Sequence, residues 1–333
     1  MIKSLLKIVI SALIALAVLT GFCFFYYNLP VHHDSPTGSS DYIWDANAIS
    51  MKCTEGFAYS VTDANGFPNA WESNKEEIDV LVMGSSHGEG FNVSYDENFT
   101  YVLNEIYAEK GEDFLAYNIS TSGHSLVHCF RNLEAGIKEF SPDDYVVIET
   151  PNLSMTMDKL IDMQEGDLPR FESNDSEIIK FLQRNDFFRL AYSQGYSFLN
   201  KSKPFANTNA DDPIDFEQYE ILMEKIVVKA AETVAKADCK LIIVYLPELS
   251  LNTDGSVNDQ EIIEQYTILK KLCDKHGVIF VDMYEPFKTH YEETYELPNG
   301  FSNTKVGTGH INTTGHRLVA ETLYEITKED CSK

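Results

Sequence analysis

The chain has 333 residues, 44% of them hydrophobic, enough to bury one large core with appendages. Its formal net charge is −26. Without Lys3 and Lys7, 24 basic residues face 52 acidic ones, a balance of −28. This excess repels phosphate backbones and anionic surfaces, so nucleic acid is excluded as a partner.

Ile8 to Tyr27 is an unbroken run of apolar and small residues, about the 20 that a bilayer-spanning helix requires. Lys3 and Lys7 precede it and no acidic residue follows until Asp34, so the N-terminus is expected inside the cell and the remainder outside. The length of the run and the lack of a small-x-small cleavage site favour an uncleaved anchor over a removed signal peptide. Phe22 stands where a lipoprotein signal has a small residue before its cysteine, which leaves Cys23 as a membrane-embedded thiol. Five more cysteines follow (Cys53, Cys129, Cys239, Cys273, Cys331), with no metal-type spacing and too few for a disulfide framework.

The organisation expected from these features is an anchor at 1–28, a polar stalk at 29–50 containing Pro30, Pro36 and Gly38, and a catalytic domain at 51–330. Asn65-Gly66 marks a turn. Ile78 to Met83 reads as a strand buried on both faces, and Tyr101 to Lys110 as a helix. Further strands are expected at Phe114–Ile119, Tyr145–Glu149, Leu241–Tyr245 and Val278–Asp282, separated by helices at Ser125–Phe140, Phe216–Ala237 and Glu261–Lys275. A helix from His316 to Thr327 closes the chain. Alternating strands and helices predict a doubly wound α/β domain, a five-stranded parallel sheet between two helical layers. An acidic, aromatic-rich insertion at 158–212 interrupts the alternation and is expected to pack as a helical cap or to wall the site.

Ligands in such sheets bind beyond the C-terminal strand ends. After the first strand comes Gly84-Ser85-Ser86-His87-Gly88-Glu89-Gly90, a sharp turn that presents Ser86 as a nucleophile with backbone NH groups near it. A dinucleotide fingerprint starting at Gly88 fails at Val93, and a phosphate loop starting at Gly84 fails at Glu89 and Gly90. After the second strand Gly123 offers a closely approachable NH, and after the third Asn152 offers a side-chain amide, each suited to an oxyanion. His310, in a glycine-flanked loop before the last helix, is a natural general base. His124 and His128, four apart, lack a third metal ligand at suitable spacing, and His87 and His316 are read as structural.

A serine, a glycine, an asparagine and a histidine in this order resemble the four blocks of the SGNH hydrolases, also called the GDSL family, over about Val80 to Glu321. The resemblance implies an SGNH-type sandwich, Ser86 as nucleophile and first oxyanion donor, Gly123 and Asn152 as the other donors, His310 as base, and no cofactor. With the anchor, it implies an extracytoplasmic esterase or O-acyltransferase of the subgroup that modifies cell-surface polymers. Its partners would be an acylated envelope carbohydrate and possibly a membrane acyl-donor protein. Two positions depart from the pattern: Ser85 stands where the family usually has aspartate, and Gly307 stands three residues before the histidine, where it has the acid that holds the imidazole. The expected consequence is a Ser86–His310 dyad, or a triad with Asp282 or Glu285 as displaced acid. The Gly84-to-Gly88 turn also fits the elbow of α/β-hydrolases, and the missing acid also fits a catalytically weakened surface-binding or assembly protein.

Overall fold

A computed structural model describes residues 2–70, 77–170, 178, 181, 182, 184–200, 214–305 and 307–328. Helix α1 (Ile2–Tyr26) is long and apolar enough to cross a membrane, and almost none of it is covered by the rest of the chain. Four of the short strands that follow are β1 (Tyr27–Asn28), β2 (His32–Asp34), β3 (Tyr42–Trp44) and β4 (Ile49–Lys52), and the fifth is β5 (Ala58–Val61). They form a β1-β4-β5 antiparallel sheet and a β2-β3 ribbon.

The central sheet contains β6 (Val80–Met83), β7 (Ala116–Asn118), β8 (Tyr145–Thr150), β9 (Lys240–Tyr245) and β10 (Ile279–Asp282), all parallel, in the order β10-β9-β8-β6-β7. Residues of β6 alternate between two cores, as the two-residue repeat of a strand demands. Leu81 and Met83 face one side, with Tyr117, Ile119 and Ile243. Val80 and Val82 face the other, with Phe99, Leu103, Val244 and Val319. Both faces are covered, which accounts for the fully apolar sequence of β6.

On the first face pack α4 (Leu126–Phe140), α7 (Phe216–Ala235) and α8 (Glu264–His276). On the second lie α3 (Phe99–Lys110), α9 (Tyr284–Thr294) and α10 (Thr313–Thr327). Three of these starts have a visible cause. Asn98 caps α3 at the Thr100 NH, Asp215 caps α7 at the NH groups of Glu217 and Gln218, and Asn312 caps α10 at the Gly315 NH. The remaining helices are the short α2 (Ser86–Glu89), α5 (Met157–Glu165) and α6 (Asp186–Asn200).

The expected α/β sandwich is the architecture observed, with strand limits shifted by a few residues and with α9 added. Chain order argues against the α/β-hydrolase alternative, because Ser86 follows β6, the first strand of this sheet in the sequence.

Residues 29–50 do not form a stalk. Their polar groups are spent on the domain: Asp41 is 4% exposed and pairs with Arg131 and His124, the Ser40 hydroxyl meets that of Thr121 at 2.6 Å, and Trp44 Nε1 donates to Glu89 at 2.9 Å. The packed domain therefore begins near Tyr27 rather than at 51. Within the insertion, α5 and α6 are helical as a cap would be. Phe171 and residues 201–213 lie outside the described residues. Cys53, Cys129, Cys239 and Cys273 are buried free thiols.

Candidate active site

β6 ends at Met83, and the chain turns through Gly84 and Ser85 into α2, of which Ser86 is the first residue. Beneath this turn sits Glu149, 1% exposed at the end of β8. Its carboxylate accepts the NH groups of Ser85 and Gly88, each at 2.9 Å, and the Ser85 hydroxyl at 3.1 Å. A Cβ at Gly84 would stand 2.5 Å from Glu149 Oε2, and one at Gly88 would stand 2.4 Å from Ser120 Oγ, so both glycines are needed for this close approach. Ser85 caps α2 by accepting the His87 NH at 3.2 Å. Ser85 thus joins the turn to a buried acid on a neighbouring strand. Burial raises the Glu149 carboxyl to about 7, against the pull of the donors from Ser85 and Gly88.

The Ser86 hydroxyl donates to His310 Nε2 at 2.7 Å. On the far side of the ring, His310 Nδ1 donates to Glu55 Oε2 at 2.8 Å, and the His310 backbone NH reaches Glu55 Oε1 at 3.0 Å. Serine, imidazole and carboxylate form one continuous chain. Burial works against the charge on Glu55, but the hydrogen bonds and charge of His310, with Lys52 nearby, bring its carboxyl down to about 2. An ionised carboxylate at Nδ1 places the imidazole proton there and leaves the Nε2 lone pair for the serine.

Glu55 lies in the β4–β5 turn of the N-terminal sheet, which overturns both expectations about the third acid. There is no bare dyad, and neither Asp282 nor Glu285 is the partner. Asp282 accepts from Gln260, Tyr266 and the Tyr284 NH, and Glu285 is exposed in the first turn of α9. Gly307 does not lie beneath the ring; its α-carbon faces Leu297, with a φ of +73°. Room for Glu55 comes instead from Gly309, where a Cβ would meet the carboxylate at 2.6 Å.

The histidine loop is pinned along its backbone. Glu248 accepts the Gly309 NH at 2.9 Å, the His310 carbonyl accepts from Gly300 at 2.9 Å, and the Ile311 NH donates to His87 Nδ1 at 3.3 Å. His87 packs its ring 4.7 Å from that of His310, and burial together with His310 lowers it to about 3. His316, also lowered to about 3 by burial, accepts the Phe99 NH at 3.1 Å. Both are neutral structural residues, as the sequence suggested.

Gly123 follows β7, exposed with a φ of +86° and open space at its α-carbon. Asn152 follows β8; its side-chain oxygen accepts the Ser154 NH at 2.7 Å. These residues flank the Ser86 turn on the two neighbouring strands. His124 and His128 stack on one another. His124 faces Asp41 at 3.2 Å and His128 bonds to Ser125, and no metal-holding group of three His, Cys, Asp or Glu occurs among the described residues.

Sequence reasoning missed Glu55 and Glu149. Glu55 is one of 52 acidic residues and nothing local distinguishes it. Glu149 did carry a signal: an acid in a strand whose other residues are apolar, and buried on both faces, needs a specific partner.

A parallel α/β domain with a Ser-His-Glu chain at the C-terminal end of its sheet is the class that fold and geometry define. Solved structures similar to this chain include esterases and GDSL-type lipolytic proteins. One is an acetyl xylan esterase, 14% identical, TM-score 0.42, the match covering 74% of this chain and 98% of that one. Another is a psychrotrophic esterase from Pseudoalteromonas sp., 13% identical, TM-score 0.40, covering 75% and 96%. A third is a member of the lipolytic G-D-S-L family from Veillonella parvula, 13% identical, TM-score 0.38, covering 75% and 98%. No family model matches the chain, and no curated protein matches it.

Proposed function

We propose that the chain is an extracytoplasmic serine esterase or O-acyltransferase that works through an acyl-serine intermediate on acylated cell-envelope carbohydrate. The observation that carries this reading is the unbroken Ser86–His310–Glu55 chain. His310 Nε2 takes the Ser86 proton as Oγ attacks the ester carbonyl, and Glu55 stabilises the imidazolium that forms. The oxyanion is met by the NH groups of Ser86 and Gly123 and by the Asn152 amide. His310 returns the proton to the departing alkoxide, leaving acyl-Ser86. A water or a carbohydrate hydroxyl, deprotonated by His310, then releases the acyl group and restores the serine.

The weakened surface-binding alternative rested on the missing acid at Gly307, and Glu55 removes that support. The polymer assignment rests on the resemblance together with the anchor: Lys3 and Lys7 hold the N-terminus inside, and the domain faces the envelope. A membrane protein that delivers the acyl group is compatible with this placement.

A serine-directed fluorophosphonate should label the full chain and fail on Ser86→Ala; labelling of both alike would exclude Ser86. Turnover on a panel of acetylated glycans, with and without carbohydrate acceptors, separates hydrolysis from transfer. Protease added to intact cells should digest the domain and spare a short N-terminal fragment. Full protection would reverse the orientation.

A further inference from the structure

Helix α6 runs alongside the outer end of α1. The Asn185 amide donates to the Thr20 hydroxyl at 3.1 Å, and the Asn185 side-chain oxygen also accepts the Phe187 NH at 3.1 Å, capping α6. Thr20 lies six residues before Tyr26, the last residue of α1, so at 1.5 Å per residue this contact sits about 9 Å short of the end of the helix. Farther along, Arg189 donates to the Leu29 carbonyl, just past the anchor. The start of α6 is thereby held at the depth of the apolar span, and the helix climbs outward from there.

Around this start, five apolar side chains are uncovered. Ile178 is 73% exposed, Phe181 68%, Leu182 40%, Phe188 37% and Tyr192 41%. In a chain of net charge −26, the same corner presents Arg184 and Arg189 beside a cavity of about 420 Å³ that Phe24, Pro30 and Asp186 also line. Exposed aromatic and aliphatic side chains at the level of the span, interleaved with Arg184 and with Arg189, whose head reaches outward to the Leu29 carbonyl, match the outer leaflet of a phospholipid bilayer and its interface.

The geometry points to a second membrane contact: α6 and the turn before it lie in the outer leaflet and bind phospholipid, fixing the tilt of the domain on the membrane. This rests on the reading of α1 as a membrane anchor. One anchor helix alone leaves the domain free to swivel. A second contact beside it holds the Ser86 site at one height above the surface.

The test uses the full chain in vesicles of phosphatidylcholine and phosphatidylglycerol whose acyl chains carry nitroxide. Bimane is attached to single introduced cysteines, Phe181→Cys and Phe188→Cys, with Leu182→Cys as a further position should either fail to fold, and the signal of the parent chain is subtracted. Val18→Cys in α1 and Ile262→Cys on the distant domain surface serve as references. The proposal expects the labels at 181 and 188 to lose most of their fluorescence to lipid nitroxide and to resist aqueous iodide, like Val18→Cys and unlike Ile262→Cys. Lipid quenching at 18 with iodide quenching at 181 and 188 overturns the leaflet contact and keeps the anchor. Iodide quenching at all positions overturns the anchor reading too. Protection from both quenchers that depends on protein concentration would assign the face to a second copy of the chain and overturn the lipid assignment.

Discussion

Glu55 is the residue whose role is most sharply exposed to test. Losing the carboxylate that orients a catalytic imidazole costs about 10⁴ in turnover, so Glu55→Gln should lower turnover on a small aryl ester by that order, while Asp282→Asn leaves it near the parent value. Equal losses from the two would return the acid to Asp282. An acid three residues before His310 should not help: Gly307→Asp puts a side chain at a φ of +73° and against Leu297, and should cost about 1–2 kcal/mol of stability with no gain in hydrolysis. Asn152→Ala should lower turnover by about 10² to 10³ in a chain that still folds, the scale of one oxyanion donor. Unaltered turnover would remove Asn152 from the site.

The element that matters most for the site is the small β1-β4-β5 sheet, because it carries Glu55 and is a direct continuation of α1. Tyr27 pairs with Lys52 and Asn28 with Met51, and the Cys53 NH donates to the Tyr26 carbonyl at 3.0 Å. Only Thr54 separates that anchored cysteine from Glu55. The carboxylate of the Ser86–His310–Glu55 chain is therefore positioned by the C-terminal end of α1, while Ser86 and His310 belong to the central domain. Deleting residues 1–28 should displace Glu55 and lower turnover by about 10²-fold, the effect expected of a misplacement of about 1 Å, while a fluorophosphonate still reaches Ser86. Full turnover in the truncated chain would show that the β4–β5 hairpin holds Glu55 without β1.

For the whole molecule, the buried ionisable groups set how stability varies with pH. His87 and His316 are lowered to about 3, so between that value and about 6.5 the unfolded chain binds two protons that the folded chain refuses. Stability should rise with pH across this window. Glu149, raised to about 7, acts oppositely above about 4.5, since the folded chain keeps a proton there that the unfolded chain has lost. Two protons outweigh one, and the net slope stays positive. Below about 4.5, Glu55, held down to about 2, adds to the acid loss, because its contribution disappears as pH falls through that range. Melting temperatures should climb between pH 4 and 6.5, and His316→Gln should flatten the climb. A profile unchanged in that variant would mean that His316 does not titrate on unfolding.

Local pattern determined the long apolar helix, the alternating strands and helices, and the loops that hold Ser86, Gly123, Asn152 and His310, because each depends on neighbours within a few residues: an apolar run, a two-residue alternation, a glycine turn at a strand end. The polar stretch at 29–50 read as a stalk because serines, prolines and an aspartate look solvated until Arg131, His124 and Thr121 are brought to them from 81 to 90 residues away. Glu55 was silent for the same reason, since 255 residues separate it from His310 and 31 from Ser86. A carboxylate acquires a role only when an imidazole NH is aimed at it. That meeting is made by the pairing of β1 with β4 and by the open backbone at Gly309, neither of which a linear pattern encodes.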